Sequence, residues 1–553
     1  MDLNPPDHTE GHLLAVDDKI KSLEESALAL KLYRNTLVPI SRLPTEILSI
    51  IFSLLPSPLA STHRILPVVS ISHVCHQWRE ISLSLPHLWN HINFDQLTPD
   101  GVAEMFARAK MLPLHLEASL QIYQPEKFKA FEGQIKLHIH HTRHLTITIA
   151  GAPEDPERTF EQLTSPAPSL EQFSIARAGC DSVVIPDNLF NGFAPSLIYL
   201  RLHNCGIGWE SPLLKGLQDL DIISFPSGAQ TTLKTWLDAL SQMSRLERLT
   251  LDYGVPINSI VRQPGLTVVL SSITELEISG IVLDCILVLS CLELPALARL
   301  RVRSRPYSPQ NTSMLRLVPY FARNAHGPQD TEALQSLFIG TDLAHFNHRQ
   351  KIAGIVAWTM PRGDTDGRLL GGTVDLCDSL RLARLAFSTI LLEDDEVYTP
   401  LHDALLTSLP LNSITSLTVD GSIPLNKQLW RIHAPRWLKL ERLRLFRTAV
   451  PAFREMLKEV PCGGPLLPSL EELVLVGIRL DAQKVYYLYD MLIELVEFEI
   501  PIRTLDLRSC TATNRAVKLL NEIVVDVQGP VKTSFDFELI RMFGEDSEEE
   551  DEE

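Results

Sequence analysis

Four histidines fall close together in this 553-residue chain, His138, His140, His141 and His144. Imidazole nitrogens at such density are side chains that could hold zinc or copper. On a strand His138 and His140 share a face, whereas on a helix His140 pairs with His144, or His138 with His141. No single conformation gathers all four, so the stretch reads as polar residues closing a helix before the next strand, and no metal is expected. The sequence has no GxxxxGK[ST], GxSxG or HExxH pattern, and Gly206-Ile207-Gly208 lacks the third glycine of a dinucleotide loop. No cofactor and no catalytic residue are expected. Arginines supply the other chemistry: Arg299, Arg301 and Arg303 alternate with other residues, as do Arg442 and Arg444. On strands each set would line one face, where guanidinium groups could hold acidic or phosphorylated peptides by bidentate bonds. They could instead pair with acids on neighbouring strands, Arg301 with Glu277 for instance, each exposed pair contributing only about 0 to 1 kcal/mol.

The chain that must position these groups is too long for one compact core, so several domains or a repeat array are expected. Its 45% hydrophobic and 21% charged residues exclude a mainly disordered, collagen-like or disulfide-dense protein. The formal charge is −18, but eight of the acids lie in Glu545 to Glu553, so the body is only mildly acidic. With no Lys/Arg-rich block, counterion release has little to act on, and neither nucleic acid nor an acidic membrane is an expected partner. The eight cysteines include no CxxC pair, which fits a reduced compartment. Met1 to Glu10 lacks the features of a secretory signal. The longest apolar run, Ile281 to Leu294, is broken by Asp284 and Glu293, well short of the roughly 20 residues that span a bilayer. A location in the cytoplasm or nucleus is expected.

After a disordered stretch at 1–12, residues 13–37 place Val16, Ile20, Leu23, Ala27, Leu30, Arg34 and Leu37 at alternating steps of four and three. This predicts a helix with one apolar stripe, either packed on the segment C-terminal to it or forming a short dimerising coiled coil whose seam Ala27 and Arg34 weaken. From Ile40 to Ile92 apolar residues again recur at helical spacing: Leu43, Ile47, Leu48, Ile51, Phe52 and Leu55, then Val69, Val74, Cys75, Trp78, Ile81, Leu85, Leu88 and Trp89. So small a unit of two or three short helices cannot bury this much apolar surface internally, and some of it should meet a partner.

Leu43-Pro44-x-Glu46-Ile47-Leu48-x-x-Ile51-Phe52, followed by Val74-Cys75-x-x-Trp78-x-x-Ile81 and Leu88-Trp89, resembles an F-box over residues 40–92. Its place after a short helix near the N-terminus is similar to the F-box proteins abundant in mushroom-forming fungi. The resemblance implies a three-helix module that docks on the Skp adaptor of cullin-RING ubiquitin ligases, while the rest of the chain selects a protein substrate. It implies that Leu43, Pro44, Ile47, Leu48, Ile51 and Phe52 form much of the docking surface, with Val74, Cys75 and Trp78 contributing or holding the helices together.

Beyond the F-box an apolar pattern at positions 1, 4 and 6 recurs twelve times, beginning at Leu170, Leu197, Leu217, Leu246, Ile273, Leu297, Leu334, Leu382, Ile414, Leu440, Leu470 and Ile502. On the order of ten such triplets would arise by chance in so apolar a chain, but nine of the twelve also keep positions 2, 3 and 5 free of large apolar residues, where chance would give about three. Steps of mostly 20 to 32 residues match leucine-rich repeats, with longer steps before Leu334 and Leu382 that suggest insertions near 305–332 and 343–379. Leu233, Trp236, Leu237, Leu240 and Met243 form one helical stripe between strands, and Val485, Leu488, Leu492 and Leu495 another. The Asn or Cys of the family's position 9 appears only as Cys205 and Cys510, so the array is expected to be irregular. The predicted architecture is α/β: a helical F-box, a linker with an irregular first repeat at 93–168, a solenoid at 169–535 with parallel strands on the concave face and helices outside, and an acidic disordered tail at 536–553. His144 to Ile147 reads as an early strand, with Leu116 and its neighbours as linker. On the concave face Tyr199, Arg201, Arg299, Arg301, Arg303, Arg442 and Arg444 are the expected substrate contacts, with His203, Phe338 and Phe446 beside them. The function implied is a non-catalytic substrate receptor of a Skp–cullin–F-box ubiquitin ligase, or an interaction scaffold of the same build without a role in ubiquitination.

Overall fold

The computed structural model describes residues 8–54, 67–121, 125–150, 160–179, 183–226, 231–253, 265–305, 312–326, 333–342, 352–359, 383–390, 399–420, 427–447, 449–459, 466–500 and 502–529. It divides into two units, Met1–Gly216 and Leu217–Glu553. The expected acidic tail at 536–553 lies outside the described residues.

The first unit opens with helix α1 (His8–Leu37). This helix starts within the stretch expected to be disordered, which after Pro6 contains no further proline to break it. Its stripe is not packed against the next helices: Leu13, Val16, Ile20, Leu23, Leu30 and Leu37 are all exposed. Three short helices come next, α2 (Thr45–Ser53), α3 (Pro67–Ser72) and α4 (His76–Ser84). Then β1 (His91–Asn93), α5 (Pro99–Ala109), β2 (Leu114–Gln121), α6 (Pro125–His138), β3 (Thr142–Ala150) and β4 (Gln172–Ala178) alternate. After β5 (Val183–Ile185), β6 (Tyr199–His203) joins the main sheet, which runs β1, β2, β3, β4, β6 with every neighbour parallel. β5 instead pairs with β7 (Cys205–Ile207).

The parallel array therefore begins at His91: within the segment expected to hold a linker and an irregular first repeat, the described residues form two strands of the array, β3 covering the expected early strand at His144 to Ile147 and β2 lying where a linker was expected. Trp89, Ile92 and Phe94 are buried at positions 1, 4 and 6 of the first strand. β2 and β3 place Ala118 and Thr142 at positions that other repeats give to a large apolar residue, and both are buried without being large enough, or apolar enough, to mark a triplet.

The second unit continues the rule. Its strands are β8 (Asp219–Ile223), β9 (Arg248–Asp252), the short β10 (Val268–Val269), β11 (Glu275–Ile281), the short β12 (Leu292–Glu293), β13 (Arg299–Arg305), β14 (Ser336–Asp342), β15 (Ile352–Trp358), β16 (Leu385–Ile390), β17 (Ser416–Val419), β18 (Arg442–Phe446), β19 (Glu472–Arg479), β20 (Thr504–Thr511) and β21 (Asp526–Gln528). Positions 4 and 6 of all twelve triplets lie on strands and are buried, as strand alternation requires. Entry to many of the strands follows one pattern: the position-1 N–H donates to the carbonyl three residues back, as from Leu246 to Met243 (3.0 Å), Leu440 to Trp437 (3.2 Å) and Leu470 to Leu467 (3.1 Å). The preceding serine ties one repeat to the last: Ser272 Oγ donates to the Ser244 carbonyl (2.7 Å) and Ser469 Oγ to that of Leu438 (2.8 Å). The two expected helical stripes lie on helices Leu233–Gln242 and Ala482–Glu497, capped by Thr232 and Asp481 side chains, with the apolar faces buried.

Strand order departs from chain order in one place. β13 pairs with β16, and β14 with β17, while β15 runs antiparallel between β16 and β14. Part of the expected insertion at 343–379 is thus a strand of the sheet, and the rest of it lies outside the described residues. The insertion at 305–332 includes helix Val318–Asn324, whose buried Phe321 meets Phe387 edge to face at 5.7 Å. Phe338, expected as an open-face contact, is instead buried with Val356, Trp358, Ala383 and Ala386, because β15 brings its own apolar side chains beside it. Arg384 stands at this rearrangement, almost fully buried. Its guanidinium donates to the Asn324 carbonyl at 3.0 and 3.2 Å and to the Ala298 carbonyl. Replacing Arg384 by alanine leaves those carbonyls without their charged donor and should lower stability by about 2 to 4 kcal/mol, read from urea unfolding; a change under about 0.5 kcal/mol would remove Arg384 from this role.

Candidate functional site

Residues 39–54 and 67–89 form the site from the inside out. Pro44, the N-cap of α2, offers its carbonyl to the N–H groups of Ile47 and Leu48 (both 3.1 Å), and Glu46 sits at the positive end of the helix. Leu48 and Phe52, four residues apart, point into a core with Ile71 and Ile81, against which Leu43, Trp78, Leu85 and Leu88 pack. The Phe52 and Trp78 rings lie 5.0 Å apart at 60°. Trp89 closes the module: its Nε1–H donates to the Ser82 carbonyl (2.8 Å), and the Arg108 guanidinium lies 4.3 Å from its ring.

The opposite face of α2 is apolar as well. Ile47, Ile50, Ile51 and Leu54 succeed one another at steps of three, one and three, and are 42%, 58%, 40% and 78% exposed. Pro44 and Val74 are exposed too. Of the expected docking residues, Pro44, Ile47, Ile51 and Val74 are available to a partner, while Leu43, Cys75 and Trp78 are half-buried. Leu48 and Phe52 are not available, since both belong to the module's core. Ile50 and Leu54 take their places on the surface; their signal in the sequence was the second apolar stripe, offset from the first on the same helix. Four large uncovered side chains on one helix face are the mark of a protein-contact surface.

The sheet face opposite the core carries the arginines. Asp219, Arg248, Glu275 and Arg299 stand in register across β8, β9, β11 and β13, alternating in sign. Arg248 bonds Asp219, Arg299 bonds Glu275, and Arg301 bridges Glu277 at 2.6 Å and Glu275 at 3.3 Å. Arg303 comes within 3.9 Å of Glu277, and Arg442 bonds Glu472. The first basic row is therefore ion-paired across strands, its three arginines sharing Glu275 and Glu277, and Arg301 is only 17% exposed. Tyr199 and Arg201 point to the corresponding face of β6, and Arg444 to that of β18.

The histidines separate into two groups. His138, at the end of α6, stacks on Phe106 (4.4 Å) and lies 3.0 Å from His141, whose ring stacks on that of His140. His144 instead completes an in-register row with His91 and His115, ring centroids 4.1 Å apart at each step. Among the described residues no group of three or more histidines, cysteines or acids is placed to hold a metal ion. In the row, burial first and then neighbouring cationic groups hold the imidazoles below their ordinary value of 6.5, His115 down to about 3. The unfolded chain takes up protons here that the folded chain refuses, so stability is full above pH 6.5 and falls as pH drops toward 3. A His115→Gln variant should lose less of its melting temperature between pH 7.5 and 5 than the parent; identical pH profiles would show that the row does not set this dependence.

Residues 40–95 match the family model described as F-box-like. No curated protein matches the chain. Among solved structures, the crystal structure of a TLR13–ssRNA13 complex aligns with a TM-score of 0.32 at 15% identity, over 80% of this chain and 49% of that one, so the chain spans about half its length. The helical module with the two-faced α2 is an F-box-like domain.

Proposed function

We propose that this chain is a substrate-receptor subunit of a Skp–cullin–F-box ubiquitin ligase, α2 docking on the Skp adaptor and the sheet-bearing remainder holding a protein substrate. The observation that carries this reading is the apolar stripe of Ile47, Ile50, Ile51 and Leu54 within the F-box-like domain. The chain then supplies no catalytic group. It contributes proximity, holding a substrate near the ubiquitin carrier on other subunits. Tyr199, Arg201, Arg299, Arg301, Arg303, Arg442 and Arg444 are the proposed substrate contacts. The ion-paired arginines would engage an acidic peptide by exchanging partners, since a bidentate bond to an incoming carboxylate replaces the one to glutamate.

Replacing Ile47 and Ile51 together by glutamate should weaken co-purification with the Skp adaptor at least about tenfold, with the melting temperature unchanged because both side chains lie outside the core. Retained adaptor binding would overturn the docking assignment. If docking is lost and no protein accumulates in cells carrying the variant, the chain acts as a scaffold instead.

A further inference from the structure

Helix α1 holds a row of large apolar side chains in solvent. In heptad terms its a positions are Leu13, Ile20, Ala27 and Arg34, and its d positions Val16, Leu23, Leu30 and Leu37. All eight are exposed. A helix of 30 residues is about 45 Å long, ample for a two-stranded seam of this kind. Leucine at three of four d positions suits two parallel strands, and a single polar residue at one a position, Arg34, favours one register and a low strand number at a cost in stability.

The flanking charges point to the partner. In a parallel, in-register pair of identical helices, each g position faces the e position five residues on in the other copy. Lys19 at g then meets Glu24 at e, and His12 at g meets Asp17 at e, each contact occurring twice by symmetry. These four side chains are exposed on the one helix.

We propose that α1 is a homodimerisation helix, forming a parallel two-stranded coiled coil with the α1 of a second copy of this chain. The F-box-like domain begins three residues after Leu37, so a parallel pair delivers two such domains from the same end of the seam. Two substrate-holding arrays would then act on one target with the gain of linked sites. Leu14, Leu28 and Leu32 stay on the outer face of such a pair, which makes a bundle of more strands the competing assembly.

Sedimentation equilibrium of the full chain at micromolar concentration tests this. The expected mass is twice the 62.1 kDa of one chain, falling to a single chain in a Leu23→Glu, Leu30→Glu variant with unchanged circular dichroism beyond the helix's own contribution. Lys19→Glu and Glu24→Lys chains should each dimerise more weakly than the parent and recover parent-like dimerisation when mixed, because the mixture restores both opposite-charge contacts. A monomeric parent, a dimer that survives the double leucine variant, a trimer or larger bundle, or mixing without recovery would each overturn the proposal.

Discussion

A strand with leucines on one face cannot cover them with its own repeat, and nearly everything in the parallel array derives from that. Leu220, Leu249, Leu276 and Leu300 meet in register across four strands, and Ile222, Leu251, Ile278 and Val302 do the same one step along. A slip of one residue would turn the leucines out and drive arginine or aspartate into the core, so the register is strongly held. Once it is held, the opposite face has no freedom of alignment. Asp219, Arg248, Glu275 and Arg299 stand side by side because the leucines next to them do, and their alternation in sign turns an enforced row into a set of ion pairs. The same logic places His91, His115 and His144 in one row, where burial first and then neighbouring cationic groups suppress protonation.

Where chain order and sheet order part, the constraint is met by other means. β15 enters antiparallel between β16 and β14, so its hydrogen-bonding edges are filled on both sides. Its side chains are buried on both faces as well, Ile355 and Ala357 on one and Val356 and Trp358 on the other, which is why Phe338 has no exposure left. Arg384 supplies a cation to the carbonyls of Asn324 and Ala298, groups that such a junction would otherwise leave buried and unpaired.

Much of the array was readable from spacing, because a position-1, 4, 6 pattern reports a physical alternation. The twelve triplets all found strands. Of the first three strands β3 is legible, from His144 to Ile147, whereas β1 and β2 are not: Ala118 breaks the pattern by size, and Trp89 belongs to the helical module as well, bonding back to Ser82 while filling position 1 of β1. β15 escaped since a strand buried on both faces has no alternation to read. In the F-box-like domain, spacing identified α2 but not which of its two apolar stripes faces inward. Periodicity groups Leu48 with Phe52 and Ile47 with Ile51, and only the packing of Trp78 and Ile81 tells the groups apart. The arginines were assigned to the correct face, yet whether they were free depended on Glu275 and Glu277, residues that become neighbours only through sheet register.

The two-faced helix has a consequence for how this protein can change over time. Most helices have a broad polar side where substitutions accumulate at little cost, but on α2 it is narrowed to Thr45, Glu46, Ser49 and Ser53, since Leu48 and Phe52 serve the core and Ile47, Ile50, Ile51 and Leu54 form an apolar side of their own. If a partner covers that side, drift is checked from both directions at once. The sheet's open face is under a looser rule: an acid and an arginine facing each other can exchange places, or both give way to neutral residues, without disturbing the leucines beneath. The array can therefore diverge in paired steps while the short helix, if so covered, stays nearly fixed.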